Sequence, residues 1–381
     1  MNIAQYKFIP SSGWSFENGV EILKNASLVI VFGSTENLKN SDNFIELKKL
    51  FEGAIFIGSS TAGEILGTNV YDNTIIATAI QFEKTTVKYV SKVIDSVEDS
   101  FEAGKYLIDT LNKDNLTHVF VLSDGLNVNG SELVKGLRDS LPDGISVTGG
   151  LAGDGASFKE TFILNNKCEV KSKKIAAIGF YGSHLKIGYG SMGGWDSFGI
   201  ERLVSKSENN ILYELDGKPA LALYKSFLGE QYSNELPASG LLFPLNLRIT
   251  QGDDPIVRTI LAVNEENQSL TFAGDIPVGS YVRLMKANFD RLIDGAVGAA
   301  KSTLTNENNN NPDLAILISC VGRKLVLKQL IEEELEGVKE ILGPNTTLCG
   351  FYSYGEISPF SKDAKCELHN QTMTITTFKE I

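Results

Sequence analysis

Two short stretches of this chain hold residue types that could grip a small charged molecule. "GSSTAGEI" at 58–65 and "GFYSYGEI" at 350–357 both read Gly, four variable residues, then Gly-Glu-Ile. A carboxylate beside glycine in a tight turn accepts backbone N–H groups, and it equally receives a ligand ammonium. Both roles are open for Glu64 and Glu356. Arg323, in "CVGRK", offers a rigid donor fork that suits a carboxylate bidentately, or else pairs with a neighbouring acidic side chain. An amino-acid-like ligand would need such a fork and such an acceptor together. Ser60 and Thr61 add hydroxyls in the first turn. Tyr352 and Tyr354 fill the last turn, where their rings wall a pocket or pack in the core. In "SDGLNVNG", Asp124, Asn127 and Asn129 either meet a ligand or form turns and caps.

Other chemistries fit less well. "GSSTAG" lacks the Gly-Lys-Ser/Thr of a phosphate loop and leads toward a strand. Gly58-x-Ser60-x-Ala62 approaches a hydrolase elbow, but Ala stands for the last Gly and no helix follows the serine. The chain has three histidines to act as base or haem ligand. His184 in "GSHLKIG" and His369 in "HNQT" are the axial candidates, while His118 begins a strand at the opposite end from the turns. Cys366 and His369 in "CELH" make one ligand pair, with no second pair at zinc spacing. Cys320 and Cys349 end apolar runs, the usual place of a buried thiol.

These turns need elements to position them. "SLVIVF" (27–32) is an apolar β run followed by the polar turn "GSTEN". A helix with Phe44, Leu47, Leu50 and Phe51 on one face comes next, and "AIFIG" leads into the Gly-Glu-Ile turn. "LAILIS" (314–319), the turn "CVGRK", a helix carrying Val326, Leu330, Leu335, Val338 and Leu342, and "TTLCG" repeat the order before the last turn. Gly343-Pro344 ends that helix. A third copy runs from "HVFVLS" (118–123) through "SELVKGLRDSL" to "ISVTGGLAGDG", where Gly149, Gly153 and Asp154 echo Gly, Gly and Glu one residue short. The pattern predicts three βαβ units over 27–65, 118–154 and 314–357, with parallel strands. β-rich sequence follows each unit, and a further strand-rich block covers about 242–286. The fold class is mixed α/β, repeated βαβ units plus antiparallel segments. Loops leaving the strand C-termini should share one edge, where ligands bind in such folds.

Composition narrows the partners. A net charge of −12 argues against nucleic acid and anionic membrane surfaces. The N-terminal stretch has no charged region followed by a long apolar core, and no apolar run nears the roughly 20 residues that span a bilayer. A cytoplasmic location is the expectation. "TNENNNNPD" (305–313) reads as a polar loop.

"IGSSTAGEI", "LSDGL", "VTGGLAGDG", "GGW" followed by "FG", "LYELDGKPALALY", "CVGR", "GFYSYGEI" and "HNQTMTITTF", in this order over about 27–378, resemble the FIST family. The resemblance implies an N-terminal domain over 1–230 and a C-terminal domain over 231–381. It also implies a sensory role, with small ligands such as amino acids and no catalysis. Some bacterial members of that family bind haem, sense nitric oxide and control a histidine kinase. No kinase or other output module is attached here, so signalling would pass to a separate protein such as a histidine kinase. The expected function is a non-catalytic small-molecule sensor without a cofactor. A haem-dependent nitric-oxide sensor and a small acyl hydrolase are the alternatives.

Overall fold

A computed structural model describes residues 1–381 except 22, 24, 251–254, 305–310 and 361–363. The polar loop expected at 305–313 therefore lies mostly outside the described residues. Three βαβ units are present, each with a leading strand and a parallel return strand. The leading strands are Leu28–Gly33, Leu116–Ser123 and Leu314–Cys320. The return strands are Ile55–Ser60, Ser146–Leu151 and Thr347–Ser353. The apolar β-branched runs of the leading strands are buried on both faces, as parallel strands covered on each side require. Leu28, Ile30 and Phe32 of the first meet Phe120, Leu122, Ile316 and Ile318 of the others in one central core. Phe32 stacks on Phe351 there, with ring centroids 4.6 Å apart. The alternate residues face outward to the helices, as Val119 and Val121 do beneath Leu133 and Leu137.

After each return strand the chain turns into a short exit strand, Glu64–Leu66, Ile163–Leu164 or Gly355–Pro359. It then comes back as a closing strand, Ile75–Gln81, Lys174–Tyr181 or Met373–Glu380, antiparallel to its own leading strand. The exit strands do not stay at home. That of the first unit pairs with the return strand of the third, that of the third with the second, and that of the second with the first. The three sheets are thus linked in a closed ring of strand exchange.

The helical connections are more broken than their sequence predicts. "GSTEN" and "CVGRK" are not turns, because helices Thr35–Lys39 and Val321–Leu327 begin directly after the leading strands. In the first unit a 3₁₀ turn, Ser41–Phe44, separates that helix from Ile45–Leu50. Phe44, Leu47 and Phe51 are buried there, but Leu50 is exposed, since the break rotates it off the apolar face. The third unit ends with helix Ile331–Leu342, capped by Gly343 at φ 92°. In the second unit Asn129 caps helix Gly130–Ser140 by accepting the Ser131 and Glu132 amides.

A fourth sheet, eight-stranded and antiparallel, includes Asp196–Glu208 and Tyr281–Lys286 and is followed by helix Phe289–Thr303. Strands from either side of residue 230 share three of the four sheets. No helix among the described residues is long and apolar enough to cross a membrane.

The first glycine of the repeated turn has a packing cause. Gly58, Gly149 and Gly350 lie opposite Val31, Val121 and Leu317 on the leading strands. A Cβ on them would come within 2.3, 1.9 and 1.8 Å of those residues' carbonyl oxygens. Gly350→Val should therefore destabilise the protein by about 1–3 kcal/mol through overpacking. Urea denaturation checks this, and an unchanged midpoint would contradict the close approach.

Candidate functional site

The three turns between return and exit strands meet at the C-terminal edge of the parallel strands. Backbone hydrogen bonds run around the ring. Ala62 N–H donates to the Tyr352 carbonyl (2.8 Å), Tyr354 N–H to Leu151 (3.1 Å) and Gly153 N–H to Ser60 (3.0 Å). Glu64 and Glu356 then play matching parts. Glu64 Oε1 accepts from the Thr61 hydroxyl at 2.5 Å, and Oε2 accepts from the Thr74 hydroxyl at 2.8 Å and its amide at 3.2 Å. Glu356 Oε1 accepts from the Ser353 hydroxyl at 2.7 Å, and Oε2 accepts from the Thr372 hydroxyl at 2.9 Å and its amide at 3.2 Å. Each carboxyl clamps its turn to the first residues of its closing strand. Burial pushes Glu64 up to about 7 and Glu356 up to about 8, against the opposing pull of these hydrogen bonds.

The second unit does the same work with different residues. Asp124 Oδ1 accepts from the Leu126 and Asn127 amides and the Thr161 hydroxyl, and its Oδ2 accepts from the Lys173 amide at 2.6 Å. The Asn127 side chain also bonds Asp124. Asp154 accepts from the Phe158, Lys159 and Glu160 amides and from the Tyr354 hydroxyl. The Tyr354 ring stacks on Phe158, with centroids 4.5 Å apart. This pins the loop after the second return strand against the third unit.

A cavity of about 400 Å³ opens beside the first turn. Ser34, Thr35 and Glu36 wall it from the start of the helix after the leading strand, Thr61–Glu64 from the turn, and Asp72 and Asn73 from the approach to the closing strand. The loop of the second unit covers it with Asp154, Gly155, Ser157, Lys159 and Glu160. Among the described residues the Lys159 ammonium has no hydrogen-bond or ion-pair partner. The hydroxyls of Ser34 and Thr35 are buried and likewise unpartnered. Ser34 lies in the "GSTEN" segment that the sequence places on the ligand edge, whereas Asp72 and Lys159 carry no signal in the sequence, and Lys159 comes from another unit.

The residues singled out from sequence divide accordingly. Thr61 and Glu64 line the cavity; Ser60 lies just behind them, fully buried, its hydroxyl accepting the Phe162 amide. Asp124 and Asn127 hold a turn. Tyr352 is buried and donates to Glu334 Oε1 at 2.8 Å. Arg323 does not present its fork to a cavity. It is fully buried, with Nε and Nη2 on Glu334 and Nη1 and Nη2 also on the Gly193 and Leu292 carbonyls. The pairing expected of Arg323 and Glu356 on one ligand is thus not formed, because Glu334 takes the guanidinium.

The three histidines sit in different settings. His369 is buried with Nε2 against the Ser358 carbonyl at 2.8 Å, and burial lowers it to about 4. His118 is sealed between the Ser146 and Thr148 hydroxyls, and His184 sits exposed in a turn. Among the described residues the Ser60 hydroxyl is bonded to the Phe162 amide and to no histidine ring. All four cysteines are free and buried.

Two measurements follow. A buried carboxyl whose folded value exceeds its unfolded one favours the folded state at low pH, and that contribution is lost as pH rises through the folded value. Stability should therefore fall between about pH 4.5 and about pH 8. Glu64→Gln with Glu356→Gln should flatten this slope in denaturation at pH 5 and pH 8. Arg323→Ala strands Glu334 without its cation, so it should cost about 3–5 kcal/mol of stability. Calorimetry that finds a stable Arg323→Ala protein would contradict the structural role of this pair.

Comparison with known proteins identifies the family. The FIST N domain model matches residues 27–218, and the FIST C domain model matches residues 220–359. An uncharacterised protein of Methanocaldococcus jannaschii is 28% identical over 352 residues, which cover 84% of this chain. The match spans 66% of that relative's length. FIST domains are associated with sensory signal transduction and with ligand binding rather than catalysis. From the two domain matches, and from the order of its glycine turns, the chain belongs to the FIST family.

Proposed function

We propose that this protein is a non-catalytic sensor whose small-molecule ligand occupies the cavity between the first and second units. The observation that carries the reading is the cavity's lining, which brings together an unpaired lysine, five carboxyl side chains and two buried hydroxyls without partners. Such convergence of a few polar groups in a formed pocket is the usual mark of a ligand site. An amino acid or related small acid would set its carboxylate against Lys159 and its ammonium against Asp72 or Glu36. Binding would draw together the loop of the second unit and the turn of the first, because each supplies one wall. That loop is pinned to Tyr354, so the third unit would feel the change. A separate signalling protein such as a histidine kinase would read it.

A thermal-shift screen of amino acids and small amines tests the reading. A ligand at a hundred times its dissociation constant stabilises a fold by about 2.7 kcal/mol, which raises the melting temperature by a few degrees. Lys159→Ala should abolish the shift given by an amino acid while leaving the unliganded melting temperature unchanged, since Lys159 is exposed. The reading fails if no compound shifts the protein, or if Lys159→Ala and Asp72→Asn respond as the parent does.

A further inference from the structure

The charge around the cavity is uneven. Five carboxylates line it against one lysine, Lys159. Two more lysines reach its rim, Lys39 on Glu36 and Glu160, and Lys324 on Asp72 and the Ala62 carbonyl. Even with Glu64 protonated, the remaining four carboxylates outnumber these three ammonium groups. The rim lysines also show how this surface holds a cation. Lys39 Nζ lies 5.4 Å from the Phe162 ring centroid, and Lys324 Nζ lies 5.7 Å from that of Tyr352. Each ammonium thus sits between carboxylate oxygens and an aromatic face.

A second observation, independent of the charge, marks this place as a ligand site. Thr35 lines the cavity, is 9% exposed, and its hydroxyl has no partner; the adjacent Ser34 hydroxyl has none either. A buried hydroxyl without a partner is unfavourable, and a bound donor would relieve it. The neighbouring clamps are complete, so these two hydroxyls are not waiting on Glu64.

Resting on the reading that this cavity is the ligand site, we propose that its ligand is a small alkylammonium compound of net positive charge. Its ammonium group would be received by Asp72 and Glu36 beside their lysines, and by the Thr35 hydroxyl once that side chain turns toward the cavity. A diamine and a dibasic amino acid share that chemistry. They differ in one group, because the amino acid alone presents a carboxylate to Lys159. A cavity of about 400 Å³ is near the small end of ligand pockets and suits an unbranched chain of either kind.

Titration calorimetry of the full chain with lysine, cadaverine, norleucine and glutarate separates the cases. Norleucine is lysine without its terminal amine, and cadaverine is lysine without its carboxylate. Lysine or cadaverine should bind at least about tenfold more tightly than norleucine, and more tightly still than glutarate. The advantage should shrink between about 20 mM and about 200 mM salt as screening grows. Asp72→Asn should reduce it, and Lys159→Ala should weaken lysine while sparing cadaverine if the amino acid is the source. An advantage below tenfold, or tightest binding by glutarate, overturns the cationic assignment and leaves the cavity reading standing. No binding by any of the four, joined to an empty thermal-shift screen, overturns the cavity reading itself.

Discussion

Each return strand in this fold has one edge that its own unit cannot fill. The leading strand takes the other edge, and the closing strand pairs on the far side of the leading strand. An open strand edge exposes a row of unpaired amides and carbonyls, a standing invitation to wrong pairing. Here an exit strand from another unit fills it, three times over, in a closed cycle. No unit is complete alone. The turn that launches each exit strand must therefore be tight, and must be held at a fixed angle. Glycines at 58, 149 and 350 let the return strands press on their neighbours, and the buried acids Glu64 and Glu356 tie turn to closing strand.

The cycle also explains why three similar edges carry different contents. The residues before the closing strands, Asn73, Lys173 and Gln371, all take a left-handed backbone, at φ 59°, 53° and 62°. In the second unit Asp124 fills the space beneath that residue with its own hydrogen bonds. In the third, the Gln371 side chain lies against Gly322, where an added Cβ would come within 2.4 Å of its amide, and donates to the carbonyl of Leu241 in the 3₁₀ helix Ala238–Leu242. Beside the first turn the same edge opens into a cavity. Its cover comes from the second unit, whose loop is fixed to the third through Tyr354. One frame thus supplies a clamp, a plug and a pocket.

The buried ionic cluster under the third unit belongs to the frame as well. Glu334 takes donors from Arg323, Ser319 and Tyr352 on its two oxygens. Removing one member of such a cluster leaves a bare charge in an apolar setting, which is why its loss should appear as instability rather than as lost binding.

The sequence by itself determined the three βαβ units, because long apolar β-branched runs and amphipathic stretches are local patterns that burial reads directly. It determined the repeated turn too, while the close approach that needs glycine there is a finding of the tertiary structure. Where helices begin was less legible, since "GSTEN" and "CVGRK" look like turns until the leading strand feeds a helix without a break. The roles of Glu64, Glu356, Arg323, Tyr352 and Tyr354 were decided only by the tertiary structure. A carboxyl next to Gly looks the same whether Thr74 or a ligand donates to it, and Arg323 looks free until Glu334, from another turn of the same unit, takes its fork. The cavity lay further from the sequence still. Ser34 and Asp72 meet where the first leading and closing strands pair, Lys159 joins them through the exchanged exit strand, and no local spacing encodes a wall that two units build together.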